Sequence, residues 1–341
     1  MKFGPIPTEQ AVGKILGHNI AAPDGRRAFR KGRALIAEDV AHLLAIGRAV
    51  VYVAEMEPED VEENEAALQV AQAVAGSGIT LSRAATGRVN LHAETLGVLR
   101  VDVTRLAQVN GCAGVTLATL LTNTPIPAEK MVGTVKILPY AVAQATLTAV
   151  SHLTTSHPIL HVDPLPPQRV ALILSGSPFT KERILTGFDA PLRGRLEALG
   201  ATVHSVDFVP LEDDAGEIEL ARLLQQRHAE GVGMIVLAGE TAVMDRYDIQ
   251  PRAIERAGGT IECFGAPVDP GNLLVLAYLG GVPVLGAPGC ARSPKPNIVD
   301  WLLPRLLVGD RLTHADIFAL GHGGLLEDVA ERPLPRKKIG D

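Results

Sequence analysis

The chain has 341 residues, 47% hydrophobic and 21% charged, a globular composition with room for two cored domains that excludes wholesale disorder. A formal charge of −6 and 4% aromatic residues argue against nucleic acid as the main partner, while leaving room for a small anion in a local donor-rich pocket. Cys112, Cys263 and Cys290 form no regular pair, and neither a signal-type N-terminus nor a membrane-length apolar run is present, so the expectation is a reducing, cytoplasmic protein without membrane contact.

Residues 1–150 read as an α+β region whose two lobes part near Pro58. Thr8 is placed to cap a short helix through Leu16. Val40, Leu43 and Leu44 follow helical spacing up to Gly47, and Val50–Val53 then reads as a strand. The acidic run Asp60–Glu65 opens a second helix with Ala66, Val70, Ala71 and Val74 on its apolar face and Gly76 as its stop. Val115–Leu121 and Met131–Leu138 lean towards strand. The stretch 151–167 mixes Ser, Thr, His and four prolines and reads as a stiff linker. Its histidines, His152, His157 and His161, straddle Pro158 without regular acid or cysteine partners, which favours a solvated segment over a metal site.

From 168 to 330 strands and helices alternate. Val170–Leu174 is a continuous apolar run of the buried parallel type. Leu192, Leu196 and Leu199 mark a helix ended by Gly200, Val203–Val209 a second strand, and Leu220, Leu223 and Leu224 a second helix. Met234–Leu237 is a third strand and Pro251–Ala257 a helix stopped by Gly258-Gly259. Leu273–Tyr278 and Val282–Leu285 form a hairpin about Gly280-Gly281, and a last helix starts near Asn297, kinked or cut short by Pro304. This order predicts a three-layer α/β/α sandwich with a largely parallel sheet, followed by a solvated basic tail, 331–341, carrying Arg336, Lys337 and Lys338.

Ligands of open α/β sheets sit outside the carboxyl ends of the strands, so the loops that follow the apolar runs hold the candidate site residues. Ser175, Gly176 and Ser177 follow the first strand, with hydroxyls suited to phosphate or amide contacts or to loop capping. Gly239, Glu240 and Thr241 lead into Asp245 and Asp248, whose carboxylates suit Mg²⁺, the guanidine-like edge of a pterin, or the start of the next helix. Asp269, Pro270, Gly271 and Asn272 form a turn. Pro288 and Gly289, with Arg292, Ser293 and Lys295, make an anion-site candidate beside the free N–H groups of the helix near Asn297. Cys290 is either a thiolate activated there or a small packing residue. Glycine-spaced dinucleotide fingerprints, phosphate loops, nucleophile elbows and paired-His zinc motifs are all missing.

In order, Leu174-Ser-Gly-Ser177, Val236-Leu-Ala-Gly239 followed by Asp245 and Asp248, Val268-Asp-Pro-Gly-Asn272, and Val284-Leu-Gly-Ala-Pro-Gly289 resemble the molybdopterin-binding domain of the molybdopterin molybdenumtransferases, the MoeA and gephyrin E-domain family. The resemblance covers about Val170 to Gly309. A softer one, through Phe29-Arg-Lys-Gly-Arg33 to Val50-Val-Tyr-Val-Ala54, Gly87–Leu91 and Val135–Pro139, is to a MoeA-related subgroup sometimes fused to a cofactor nucleotidyltransferase. It departs from the family pattern at Ser177, where the family has an acid, at Glu240, where it has a glycine, and at Asp269 and Asn272, where it has lysines.

The resemblance implies molybdopterin or molybdenum cofactor as ligand, held by the residues named above, with Asp248 or Asp245 as catalytic acid and Mg²⁺ ligand. It further implies a homodimer and a molybdoenzyme or nucleotidyltransferase as partner. Metal insertion into molybdopterin, a carrier role without chemistry, and a CinA-type nucleotide hydrolase on the same sandwich remain as three readings.

Overall fold

The computed structural model describes residues 1–211, 213–240 and 242–326, so Thr241 and the basic tail fall outside it. The chain divides into two compact units. One comprises Met1–Thr95, Leu99–Thr122 and Ile126–Asp163; the other begins at Pro164 and also takes Leu96–Val98 and Asn123–Pro125.

The first unit is α+β. Strands Lys2–Pro7, Val50–Glu55 and Ile15–Leu16 pair around the central Val50–Glu55, and helix Ala37–Ala45 packs Val40 and Leu43 with Leu16, Val51 and Val53. A separate core gathers helices Glu63–Val74, Val103–Asn110 and Gln144–Thr154 on the sheet formed by Val115–Thr119, Met131–Ile137, Arg88–Ala93 and Ile79–Leu81. The two cores lie on either side of residue 58 in sequence, yet both belong to one unit.

Three expectations fail here for local reasons. No helix spans Thr8 to Leu16, because the Thr8 hydroxyl donates to the Arg48 carbonyl (2.6 Å) and Gly13 turns the chain at φ +81° into the strand Ile15–Leu16. The acidic run forms strand Asp60–Glu62 before the helix starts, and only the Glu62 carboxylate caps it, accepting from Asn64 and Glu65 N–H. Residues 151–167 are not an extended linker: helix Gln144–Thr154 covers their start, and Leu160–Pro164 is a strand whose Leu160 carbonyl accepts from Gly76 N–H and whose Val162 N–H donates to the Ser77 carbonyl.

The second unit is a three-layer sandwich. Its strands are β1 (Arg169–Gly176), β2 (Thr202–Pro210), β3 (Met234–Gly239), β4 (Thr260–Phe264), β5 (Val275–Leu279) and β6 (Val282–Gly286), and its helices are α1 (Lys181–Ala198), α2 (Asp214–Ala229), α3 (Ile249–Arg256), α4 (Ile298–Leu307) and α5 (His314–Phe318). The sheet order is β2-β1-β3-β6-β5-β4; β1 is parallel to β2 and β3, β3 is parallel to β6, and β5 runs antiparallel to both its neighbours, β6 and β4.

Alternation along β1 builds both cores. Val170, Leu172 and Leu174 meet Ile184, Phe188, Leu192 and Leu196 of α1 and Leu302 and Leu306 of α4, while Ala171 and Ile173 meet Leu220 and Leu224 of α2 and Ile254 of α3. Helix α1 begins eleven residues before the Leu192–Leu199 stripe, carrying Pro191 inside it. Helix α4 runs one turn past Pro304, whose ring is buried and whose carbonyl accepts from Val308 N–H. Among the described residues no helix is long and apolar enough to cross a membrane.

On the α2–α3 side, the Glu217 carboxylate, 3% exposed, takes both Arg252 and Arg256, the latter at 2.6 Å. Replacing Glu217 with Ala should cost about 2 kcal/mol, less than for a fully buried pair because the two guanidiniums stay partly exposed, and the shift in urea midpoint measures it.

Candidate functional site

Strand register brings the four loops to one end of the sheet. Ser175 stands opposite Gly239, Leu237 opposite Gly286, and Gly286 opposite Val275, where the 267–272 turn enters β5. Because β1 has neighbours on both sides, the helices after β1 and β3 leave on opposite faces, which opens a crevice between the β1–α1 turn and the β3–α3 loop.

At that crevice the strands nearly touch. A Cβ on Gly239 would lie 2.5 Å from Ser175 Oγ and 2.7 Å from its carbonyl, so the position needs glycine. Ser175 itself is buried; its hydroxyl donates to the Ala238 carbonyl (3.4 Å) and accepts from Gln250 Nε2 (3.1 Å), so it ties β1 to β3 and α3 instead of facing ligand. Gly176 passes close beside Ile184 and Glu240, with no room for a side chain.

Glu240 occupies the centre of the β1–α1 turn. Its carboxylate accepts from Ser177 N–H (3.0 Å), the Thr180 hydroxyl (2.8 Å) and Arg183 (2.7 Å). These donors, the Ser177 N–H foremost, hold its carboxyl below the usual carboxylate range. The Ser177 hydroxyl accepts from Phe179 N–H (3.4 Å). In the next loop Asp248 turns away from the helix it precedes; its Oδ2 accepts from Met244 N–H (2.6 Å) and Asp245 N–H (3.1 Å), while Asp245 Oδ1 accepts from Tyr247 N–H (2.8 Å). Both acids therefore shape the loop first, and Asp248 Oδ1 has no protein donor among the described residues. A cavity of about 310 Å³ opens beside Asp248, walled by Leu211, Ala242, Val243, Met244 and Gln250. Among the described residues no three His, Cys, Asp or Glu side chains gather to hold a metal.

The 267–272 turn and the 288–297 loop join each other. Gly271, at φ +139°, packs against Ile298, and the Pro270 carbonyl accepts from Ile298 N–H (3.4 Å) after a cis Asp269-Pro270 bond. Asp269 is exposed and its backbone pairs with Gly324 and Leu326, while the Asn272 carbonyl accepts from Ala266 N–H. Asn297 caps α4 by accepting from Val299 N–H (3.0 Å), and its carbonyl accepts from Asp300 N–H. The first three amides of α4 thus already have protein acceptors, so the expected anion seat on that helix end is closed.

Arg195 of α1 braces the same loop, donating to Asp300 (2.8 Å) and to the carbonyls of Ala291 (2.9 Å), Ser293 (2.6 Å) and Lys295 (3.2 Å). Pro288 starts a short turn through Ala291, the Ser293 hydroxyl accepts from Lys295 N–H, and Gly289 faces open space. The exposed Arg292 lays its guanidinium over Phe188, 5.9 Å from the ring centroid. Burial pushes the Cys290 thiol up, which opposes a thiolate role.

Arg183, Thr180, Gln250 and Arg195 are the site residues that sequence reading missed. Arg195 lies between the anticipated Leu192 and Leu196 of α1 but binds carbonyls about a hundred positions downstream, and no local spacing signals such a reach. Glu240 did stand out, as a departure from a glycine.

Residues 5–55 match the model of a family described as a domain of unknown function, DUF8806. No curated protein matches the chain. Among solved structures, a molybdenum cofactor biosynthesis protein from Pyrococcus furiosus aligns with 93% of this chain and 65% of its own, at 11% identity and a TM-score of 0.25. A molybdopterin biosynthesis MoeA protein from Pyrococcus horikosii aligns with 90% of this chain and 75% of its own, at 12% identity and a TM-score of 0.31. The molybdopterin biosynthesis enzyme MoaB from Thermus thermophilus aligns with 42% of this chain and 98% of its own, at 18% identity and a TM-score of 0.29. Each is a likeness of this chain, and none assigns it an activity.

Gly239→Ala should destabilise the fold by about 1–3 kcal/mol through overpacking against the Ser175 backbone, read as a lower denaturation midpoint. The Glu240 contacts add a pH dependence. Its folded pKa lies below the reference 4.5, so their contribution is present above that pH and is lost as pH falls through the folded value. Hydrogen-exchange protection of Ser177 N–H should drop over that acid range in the wild type and be low at every pH in Glu240→Ala.

Proposed function

We propose that this chain binds a molybdopterin-type ligand (molybdopterin, its adenylylated form or the finished cofactor) at the carboxyl edge of β1, β3 and β6, and acts in molybdenum cofactor biosynthesis or maturation. One observation carries the reading: four segments that match the molybdopterin-binding pattern in order along the chain emerge side by side at the switch point of a largely parallel sheet. The ligand's phosphate would be met by side chains, the Ser177 hydroxyl and the Arg183 and Arg292 guanidiniums, since the α4 amides are taken. Asp248, through Oδ1, would read the pterin edge or help hold Mg²⁺ together with ligand phosphates. The metal, when bound, would neutralise phosphate charge.

Binding without metal insertion is favoured over catalysis by the way Asp245 and Asp248 are committed to loop amides, and by Asp269 and Asn272 standing where the family has lysines. Protein purified from a host that makes the cofactor should carry a pterin, detected as its fluorescent oxidation product and by mass. Arg183→Ala should lower the amount retained. A pterin-free protein that also fails to bind molybdopterin added under anaerobic conditions rules the reading out. Molybdate-dependent consumption of adenylylated molybdopterin, lost in Asp248→Asn while binding persists, would establish the transferase form.

A further inference from the structure

The N-terminal unit holds a second cavity, at the Phe29–Arg33 stretch and the residues just before it. Residues 27–33 alone wall a space of about 570 Å³, and Arg27, Arg30, Lys31 and Arg33 all stand on its rim, exposed. With Arg26 they place five cations in the eight residues 26–33 of a chain whose formal charge is −6.

Such crowding is costly unless countercharge is near, and little is. Arg26 has Asp24 at 3.9 Å, and Arg33 has Asp39 at 2.7 Å. Arg27, Arg30 and Lys31 have no ion-pair partner among the described residues.

The segment is also held in shape. Phe29 is buried beneath it, with His42 edge-on at 5.1 Å. The Arg33 guanidinium lies over the same ring at 5.9 Å and donates through Nε to the buried Asp39. Gly32, at φ +81°, makes the bend, and its N–H donates to Leu16 O (2.7 Å) while Lys31 N–H donates to Asn19 Oδ1 (2.9 Å). A loop whose backbone and floor are fixed offers its cations without a large ordering cost on binding.

We infer that the 27–33 segment, strand Arg27–Phe29 and the turn after it, is a binding site for the diphosphate group of a small ligand, held by Arg27, Arg30, Lys31 and Arg33. Guanidinium forks grip phosphate oxygens in pairs, and four cations around one open depression supply charge and donors for two phosphates. Nucleic acid fits less well, because the only aromatic ring in the loop is buried and unavailable for stacking.

Calorimetric titration of the full chain at low ionic strength tests this with pyrophosphate, ADP and orthophosphate. Pyrophosphate should bind more tightly than orthophosphate. Arg30→Ala/Lys31→Ala should weaken binding about tenfold or more, the scale of one lost charge-assisted contact, with an unchanged circular dichroism spectrum and melting temperature. Arg183→Ala, in the other unit, should leave the binding intact, which separates this site from the proposed pterin crevice. ADP tighter than pyrophosphate assigns a nucleotide as the source of the diphosphate, and equal affinity assigns the free ion. The inference falls if pyrophosphate does not bind, if the double variant binds as well as wild type, if Arg183→Ala alone abolishes binding, or if a single-stranded RNA oligonucleotide binds through these residues and pyrophosphate does not displace it.

Discussion

Burial of Val170–Leu174 on both faces places the rest of the sandwich. Three of these side chains enter one layer and two the other, each gaining about 1.5–3 kcal/mol where the residue is large, and β1 lies inside the sheet with a parallel partner on each side. Once it is interior, β2 and β3 must flank it on opposite sides, and their crossover helices leave on opposite faces. The gap at the carboxyl ends follows from that placement alone. Gly176 and Gly239 lie at the narrowest approach, where side chains would force the strands apart.

The gap is then charged in an unusual way. Where a glycine would leave the β1–α1 donors open to an external anion, Glu240 supplies an internal one, and Ser177 N–H, Thr180 and Arg183 converge on it. The α4 end is closed as well, by Pro270 O and the Asn297 cap. Recognition therefore shifts from backbone amides to side chains with donors or acceptors to spare: the Ser177 proton, the remaining guanidinium edges and Asp248 Oδ1. Side-chain recognition adapts more readily to a ligand than a rigid amide nest, but orders more rotamers on binding.

The sandwich was legible because its signals are local. The apolar runs of β1, β2, β3 and β6, the stripe on α1 from Leu192, the Gly258-Gly259 stop and the Gly280-Gly281 hairpin each declare themselves within a few residues. The first eleven residues of α1 were not legible, since Gly187 and Pro191 depress propensity and tertiary packing of Ile184 and Phe188 overrides it. Residues 151–167 misled for the opposite reason: proline-rich composition suggested a linker, while Leu160 and Val162 are fully buried strand positions. Of the site, the glycines and acids were visible as types. Their actual bonds were not, because Glu240 finds its partners some sixty residues upstream and Asp248 spends an oxygen on its own loop.

Net charge is a weak guide to where such a protein meets anions. In the sandwich several acids are matched to cations: Glu217 with Arg252 and Arg256, Asp207 with Arg227, Asp300 with Arg195. Each match consumes a cation that would otherwise attract a ligand, so the excess of acids elsewhere says little about the local field. The 26–33 loop differs in kind, since its cations outnumber the acids that reach them and its backbone is fixed by neutral contacts with Leu16 and Asn19. At physiological ionic strength the Debye length is about 8 Å, so an exposed loop senses the charges beside it far more than the sum over the chain. A negative protein can on these terms present a positive site, provided that the fold, as here at Gly32 and Asn19, holds the segment in place without neutralising Arg27, Arg30 and Lys31.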